Sequence, residues 1–513
     1  MYRKISKVMV VLLVVALVIT TTTTTIFAIG EMTPAKKLAF DSIDRNKDEI
    51  AKIGDSLFSF NELGMQEYET NKLLTDLLTA WGFKVENGIS GMPTAFMATY
   101  GSGRPVIVVH TEPDCVPSAN QRAGSAFDDP VVTSGGERAP GHGEGHNEGP
   151  ACMLGAAYAV KQVMDKYNLK GTIKLFLAPG EEQLVARPFF ARDGYFDDAD
   201  VAFHPHVSSN ANAVYGLRQY ALVSAEYIFT GKTAHGASAW GGHDAADAAK
   251  LMSVGFDALR EHLPPTYRAM CTMVMMGDQP NVITSYSKIW WMFREASAEL
   301  VKDIWAKGRM VAEGAAMMTN TTVEENLLSA VWPSRANKTL SEVVQANIEL
   351  VGMPKWTAEE QELAKAIQKM NGAKESGLAT KVGSLSKATQ GAGANDEGDV
   401  TWVLASSRTP VPGGVSGTTG HHWSAAIAQG TSIANKGEVT GAKYLAGSMI
   451  DVLENPEIVA TAKATHKEEV AGTKYVSLMP ADQPAPTHLN KESAARWKPL
   501  LEPHYLRVKI EFK

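Results

Sequence analysis

Short apolar segments with the pattern of strands alternate with helical segments early in this chain, and this alternation limits the fold more than any other feature. Residues 106–110 are apolar up to the last position, as in a strand buried on both faces. Residues 172–177 have the pattern of another strand, and a helical pattern covers residues 149–167 just before it. The alternation predicts a layered α/β domain whose functional site lies at the strand ends.

The pattern changes near residue 214. Residues 220–230 and 282–293 have strand patterns, and residues 244–262 between them have a helical pattern. A chain of 513 residues is long enough for more than one domain. The sequence therefore predicts an α/β catalytic domain made of residues 34–213 and 335–513, interrupted by an α+β unit of residues 214–334.

The first 28 residues have the composition of an export signal. Arg3, Lys4 and Lys7 flank an apolar run over residues 8–19, and threonines and Ala28 follow. A basic start, an apolar core and a small residue at the cut are typical of a secretory signal. The alternative is a retained membrane anchor, because the run and its threonines together approach a spanning length. Both interpretations predict an exported protein.

The charge and the cysteines exclude two classes of protein. A formal net charge of -7 argues against a nucleic-acid partner, which requires concentrated Lys and Arg to neutralise phosphates. Cys115, Cys152 and Cys271 show no paired metal-ligand spacing and do not form a disulfide framework. The fold must therefore be stabilised by its apolar core.

Four short motifs carry side chains suited to metal chemistry: residues 141–147 (GHGEGHN), the pair Glu181-Glu182 after a strand, His204 and His206 at the end of another strand, and His421 after a glycine-rich loop. Glycine spacing lets side chains two residues apart converge, and imidazole and carboxylate groups bind zinc or manganese. Taken alone, the first motif also fits a polar loop, and the glutamate pair also fits a solvated surface.

Taken in order, these motifs resemble a known family. Further matching segments are residues 61–64 (NELG), 194–198 (GYFDD), 231–235 (GKTAH) and 420–423 (GHHW). The set is similar to the dinuclear-metal amidohydrolases, a metallopeptidase family with aminoacylases, carboxypeptidase G-type enzymes and auxin-conjugate hydrolases, and most of all to its aminobenzoyl-glutamate branch. The resemblance implies an α/β catalytic domain with an inserted lid and dimerisation domain.

The resemblance also assigns roles to the metal-site residues. Its metal ligands fall on His146, Glu182, His204 and His421, and Glu181 matches the general base that activates the attacking water. Two divalent ions, zinc or manganese, are implied as cofactors. Glu144 stands where this branch carries a metal-binding cysteine, and an oxygen ligand there favours harder metals such as manganese.

Three residues of the inserted unit match substrate-binding positions of the family. His235 corresponds to a histidine that stabilises the oxyanion, often across a dimer, and Asn281 and Arg294 fall where the substrate carboxylate is held. A forked guanidinium suits a carboxylate, although Arg294 also fits a surface strand. The resemblance therefore implies a homodimer formed through the lid.

The predicted activity is hydrolysis of an amide bond in an N-acyl or N-aroyl amino acid, or in a dipeptide, with aminobenzoyl-glutamate as the leading substrate. Two alternatives stay open: a broad dipeptidase or carboxypeptidase, and an exported binding protein that keeps the fold without catalysis. The segment after about residue 470 is rich in Pro and then basic, and it matches no pattern.

Overall fold

The computed structural model describes residues 29–513, so the predicted signal segment, residues 1–28, lies outside the described residues. The helices are α1 Pro34–Arg45, α2 Lys47–Phe60, α3 Tyr68–Ala80, α4 Glu148–Tyr167, α5 Ala186–Arg192, α6 Ala245–Ala258, α7 Ala298–Thr319, α8 Lys338–Val351, α9 Ala358–Met370, α10 Gly398–Val403, α11 Trp423–Gln429, α12 Ser432–Glu454, α13 Pro456–Glu469 and α14 Lys491–Leu501. Of these helices, none has both the length and the apolar character that crossing a membrane requires.

The strands are β1 Lys84–Asn87, β2 Phe96–Ser102, β3 Val106–Thr111, β4 Thr133–Ser134, β5 Glu137–Arg138, β6 Gly171–Leu177, β7 Val201–Val207, β8 Val214–Leu217, β9 Ala221–Thr230, β10 Arg268–Met275, β11 Tyr286–Glu295, β12 Thr322–Val331, β13 Arg335–Ala336, β14 Ser386–Lys387 and β15 Ala405–Val411. Six of them form a central sheet in the order β1-β2-β6-β3-β7-β15. Strands β6, β3, β7 and β15 are mutually parallel, so their carboxyl ends lie at one edge.

Both faces of the central sheet are covered, which is why its middle strands are mostly apolar. Every residue of β3 is buried. One face packs against α1, α2, α4, α8 and α12, and the other face shares a core with α5 and the second large sheet. The layered α/β fold predicted from the sequence is confirmed.

The second large sheet consists of residues between 221 and 331. Its four strands are antiparallel in the order β10-β11-β9-β12, and helices α6 and α7 pack against one face. A short sheet of β13, β8 and β14 lies where the chain enters and leaves this region. The lid role of residues 214–334 and the exact limits of the two domains stay predictions.

Candidate metal and catalytic site

Three parallel strands deliver acidic and imidazole side chains to the same edge of the central sheet. Glu112 and Asp114 follow β3, Glu181 and Glu182 follow β6, and His206 lies near the end of β7. Ligands of open α/β sheets bind in the crevice outside these carboxyl ends. The topology alone therefore brings residues from three distant parts of the sequence into one crevice.

The turn after β6, which we call the catalytic turn, comprises residues 180–184. It is a single 3-10 turn over Glu181–Gln183 with Gly180 at φ +69° and Leu184 at φ +60°. The carboxylate of Asp114 accepts hydrogen bonds from the backbone N–H groups of Glu181 at 3.1 Å and Glu182 at 3.0 Å. These bonds fix the two neighbouring glutamate side chains at the crevice.

The loop over residues 141–147 requires its glycines. A Cβ at position 141 would lie 2.4 Å from the carbonyl oxygen of Ala119, and Gly145 has φ +83°, a conformation that side chains disfavour. With this tight path the loop carries Glu144 and His146 to the crevice, next to the catalytic turn. The sequence prediction that glycine spacing makes these two side chains converge is consistent with this path.

Glu112, His146 and His206 form the first group of possible metal ligands, with ligand atoms within 4.8 Å of one another. His206 Nε2 lies 3.4 Å from Glu112 Oε1. Within the described part of the chain, the buried Nε2 atoms of His146 and His206 have no hydrogen-bond partner. A buried nitrogen without a hydrogen-bond partner costs free energy, and a metal ion would supply that partner. Two ligand atoms that each lie about 2.0–2.2 Å from one ion are separated from each other by a distance similar to the 3.4 Å found here, so this group fits a divalent metal.

Glu144, Glu182 and His421 form a second, adjoining group. His421 Nε2 lies 2.8 Å from Glu144 Oε2 and 3.1 Å from Glu182 Oε2. Burial raises the pKa of Glu144, but the hydrogen bond with His421 and the nearby histidines outweigh it and lower the pKa to about 2. A carboxylate that stays ionised is a suitable ligand, and this group also fits a divalent metal.

Glu181 adjoins both groups. With His146 of the first group and Glu182 of the second it forms a third set of possible ligand atoms within 4.8 Å of one another, and its Oε2 lies 3.8 Å from His146 Nε2. Burial raises the pKa of Glu181 well above its usual range, and the neighbouring Glu182, Glu112 and Glu144 add to this effect against the opposing His146. A carboxyl group that readily holds a proton beside the metal groups has the properties of a general acid and base.

His204, one of the predicted ligands, is fully buried with a carboxylate against each ring nitrogen, and its role as a metal ligand stays a prediction. Its Nδ1 lies 2.6 Å from Glu397 Oε2, and its Nε2 lies 2.7 Å from Glu112 Oε2, so carboxylates already occupy both ring nitrogens. His206 is two residues further along β7, on the same face and nearer to the strand end. The geometry therefore favours His206 over His204 as the ligand.

A buried network of charged side chains contacts the first group of possible metal ligands. Arg187 is fully buried and donates to Glu112, to Asp396 and to His110 Nδ1, the last at 3.0 Å. Arg408 Nε donates to Glu397 Oε1 at 2.8 Å. Sequence reasoning missed these residues and Glu112, because each of them is recognisable only from partners far away in the chain.

A cavity of about 240 Å³ opens from the metal groups toward β11. It is lined by Glu144, Glu181, Glu182, Leu184, Gln219, Arg294, Gly393, Ala394, Asn395, Arg408 and His421. The Nε atom of Arg294 is buried and has no hydrogen-bond partner among the residues the structure describes. The structure thus places Arg294 at this cavity, and its role in holding a substrate carboxylate stays a prediction.

His235 and Asn281 lie together, but away from this cavity. The backbone N–H of Gly236 donates to the Asn281 carbonyl oxygen at 2.8 Å, and His235 pairs with Val282 through an isolated bridge. Both side chains are exposed, and neither lines the cavity at the metal groups. Within one chain, the structure does not bring these two predicted substrate residues to the site.

Comparison with known proteins identifies the family of this chain. The family model described as peptidase family M20/M25/M40 matches residues 109–485, which include every side chain of the two ligand groups. The chain belongs to this family. It is therefore a hydrolase of the peptidase and amidohydrolase type, and the resemblance stated from the motifs is confirmed.

Individual relatives carry related names. The chain is 30% identical over 457 residues to one of the subunits of the p-aminobenzoyl-glutamate hydrolase of Escherichia coli, covering 83% of this chain and 94% of that one. It is 26% identical over 333 residues to the Xaa-Arg dipeptidase of Mus musculus, covering 63% and 73%. A dinuclear metal-binding M20 peptidase from Bacillus subtilis shares the fold, with TM-score 0.50, 18% identity and coverage of 80% and 99%.

Proposed function

We propose that this protein hydrolyses an amide bond next to a free carboxylate, in an N-acyl or N-aroyl amino acid or a dipeptide, with two divalent metal ions. The observation that carries the proposal is the arrangement of Glu181 beside two adjoining ligand groups, with Arg294 in the same cavity. Such an arrangement combines metal ligands, a proton carrier and a carboxylate anchor in one site.

In the proposed reaction, residues 112, 146 and 206 hold one ion, and residues 144, 182 and 421 hold the other. Bound metal supplies polarisation of the amide carbonyl and a lower pKa for water. Glu181 Oε2 accepts a proton from the attacking water and returns it to the leaving nitrogen as the C–N bond breaks. The products are a carboxylate and a free amine, so one water molecule is consumed.

Arginine side chains support an anionic substrate. Arg294 and Arg408 line the cavity, and Arg218 lies near Arg408. Burial, with the charge of Arg408, lowers the pKa of Arg218 to about 10, so all three remain cationic at neutral pH. This charge favours an amino acid with an acidic side chain and repels a basic one. We therefore choose aminobenzoyl-glutamate, suggested by the relative from Escherichia coli, as the first substrate to test.

The proposal includes a homodimer in which residues 214–334 form the contact. His235 and Asn281 are exposed and distant from the cavity of their own chain, so a partner chain is required if they act on the substrate. A histidine delivered in this way would stabilise the oxyanion. Sedimentation equilibrium tests the dimer, and a monomer that is fully active would contradict it.

Export is a further part of the proposal, and the basic and apolar start of the sequence supports it. Fractionation of cells that express the full chain, followed by N-terminal sequencing, tests both export and cleavage near residue 28. Recovery of the uncleaved chain in the cytosol would contradict this part alone.

The main experiment measures metal content and turnover together. The mature protein is stripped of metal, reloaded with manganese or zinc, and assayed on aminobenzoyl-glutamate, N-acyl amino acids and dipeptides. We expect about two metals per chain and measurable turnover, with manganese more effective because Glu144 supplies oxygen. No turnover with either metal on any substrate would contradict the proposed function.

A variant separates the role of Glu181 from metal binding. Glu181→Gln removes the proton carrier and should reduce kcat by about 10²–10⁴-fold while leaving the metal content unchanged. Glu299→Gln, an exposed change at the start of α7, serves as the control and should leave kcat unaltered. Unchanged turnover in Glu181→Gln would contradict the role of Glu181 as the proton carrier.

A further inference from the structure

The segment after residue 470, which matched no sequence pattern, runs back to the catalytic turn. The family match ends at residue 485, so the last part of this path, including Asn490, lies beyond it. Near the second large sheet, Gln483 Nε2 donates to the carbonyl oxygen of Leu327 in β12 at 2.7 Å. We call residues 475–490 the return segment.

The return segment holds the helix that follows the catalytic turn. Arg192, the last residue of α5, donates from Nη1 to the carbonyl oxygens of Pro480 at 3.0 Å and Gln483 at 2.7 Å. Helix α5 begins two residues after the catalytic turn, so contacts at its far end limit how far the turn and helix can shift together.

At its other end the return segment reaches the catalytic turn through Asn490. The side-chain Nδ2 of Asn490 donates to the carbonyl oxygen of Gly64 at 2.9 Å and to Gln183 Oε1 at 3.3 Å. Asn490 has φ +61°, a left-handed conformation in which Asn is among the favoured residues. Gln66 Nε2 donates to the Leu489 carbonyl oxygen at 2.8 Å and fixes the backbone beside it.

The packing around Gly64 leaves the catalytic turn little freedom. A Cβ at Gly64 would lie 2.1 Å from Gln183 Oε1, 2.7 Å from the Gly180 Cα and 3.1 Å from Asp114 Oδ2. Gly64 therefore sits directly against the catalytic turn and the carboxylate that holds it. The Asn490 side chain donates to both Gly64 and Gln183, so it links the backbone of Gly64 to the catalytic turn.

We propose that Asn490 is a positioning residue that holds the catalytic turn, and with it Glu181 and Glu182, in the geometry required for hydrolysis. The proposal rests on the role proposed for Glu181. A proton carrier or a ligand displaced by a fraction of an ångström loses much of its effect, and a displacement of about 1 Å can reduce a rate about 10²-fold. We expect loss of Asn490 to lower kcat about 5- to 50-fold with little change in KM.

Two substitutions test the hydrogen bonds in different ways. Asn490→Asp keeps the shape of the side chain but removes both hydrogen bonds that Asn490 donates. It also places carboxylate oxygens against two oxygen acceptors, the Gly64 carbonyl and Gln183 Oε1. Asn490→Gly keeps the left-handed backbone and removes the side chain without adding charge. Asn46→Asp is the matched control, because Asn46 Nδ2 also donates to two carbonyl oxygens, of Ser42 and Lys513, at a site far from the turn.

Activity and hydrogen exchange are measured on the full mature chain of each variant. The assay uses the best substrate of the panel, and exchange is followed in the peptide covering residues 178–185. We expect both Asn490 variants to lower kcat, to keep KM within about twofold, and to speed exchange at the amides of Glu181 and Glu182. The Asn46→Asp protein should change neither quantity. Gln183→Met combined with Asn490→Gly should lose no more activity than the worse single change.

Several outcomes would overturn the inference. These are a kcat within about twofold of the parent protein in both Asn490 variants, unchanged exchange of the turn, or an equal loss of kcat in Asn46→Asp. If Asn490→Asp does not fold, Asn490→Gly decides the question. Exchange requires no turnover, so failure of the proposed function and failure of the positioning role give different results.

Discussion

Loss of the Arg187 side chain should strongly destabilise the fold. Its guanidinium is fully buried and satisfies Glu112 and Asp396, which are also buried, through both terminal nitrogens. Arg187→Met removes the guanidinium from both buried carboxylates, and Glu112 then keeps only its contacts with the ring nitrogens of His204 and His206. Breaking a buried pair from one side costs about 3–5 kcal/mol, and the loss here should reach at least that range.

Equilibrium unfolding by urea of the metal-free protein measures this loss without a contribution from metal binding. Arg309→Met is the control, since Arg309 pairs with Glu325 at the surface, where its side chain is 46% exposed and a pair is worth about 0–1 kcal/mol. Adding Asp396→Asn to Arg187→Met should recover part of the loss. A destabilisation below about 1 kcal/mol, or one equal to that of Arg309→Met, would refute the reasoning.

Three further predictions concern the site and its surroundings. His206→Asn should reduce the metal content from about two ions per chain to about one, whereas His204→Asn should retain more metal, as measured by plasma mass spectrometry. The reverse order would contradict the choice of His206 as the ligand. Arg294→Met should raise KM by about 10- to 100-fold for a carboxylate substrate and leave the metal content unchanged. An unaltered KM would contradict the role of Arg294 in binding the substrate carboxylate. Burial raises the pKa of Glu62 from 4.5 to about 7, so the folded state binds a proton that the unfolded chain releases. Stability should therefore fall by about 1–3 kcal/mol as the pH rises through this interval, and thermal unfolding of Glu62→Gln should show a smaller change.

The strand pattern and the glycine-spaced motif were sufficient to predict the α/β fold and the region of the site. Residues 106–110 and 172–177 became β3 and β6, the adjacent parallel strands whose ends carry much of the crevice. These predictions depend on local properties, namely apolar runs, periodicity and the backbone freedom of glycine. Such properties are written into consecutive residues and need no knowledge of distant contacts.

The choice between His204 and His206 depended on contacts that no local pattern contains. The two residues share one face of β7, so alternation along the strand does not distinguish them. What decides is the position of Glu397, which follows His204 by 193 residues and lies 2.6 Å from its Nδ1. The role proposed for Asn490 was not recognisable from the sequence either, because its partners Gly64 and Gln183 lie more than 300 residues earlier.

The placement of β15 at the edge of the central sheet has a consequence for how the protein forms. This strand pairs with β7, yet the chain builds the whole second sheet and helices α8 to α10 between the two. During synthesis, about 200 residues are therefore added after β7 before β15 is available to pair with it, and His421 is added later still. Long-range pairing of this kind slows folding. The second ligand group is complete only after residue 421 has been added, so a chain that ends before this residue lacks one of its three candidate ligands.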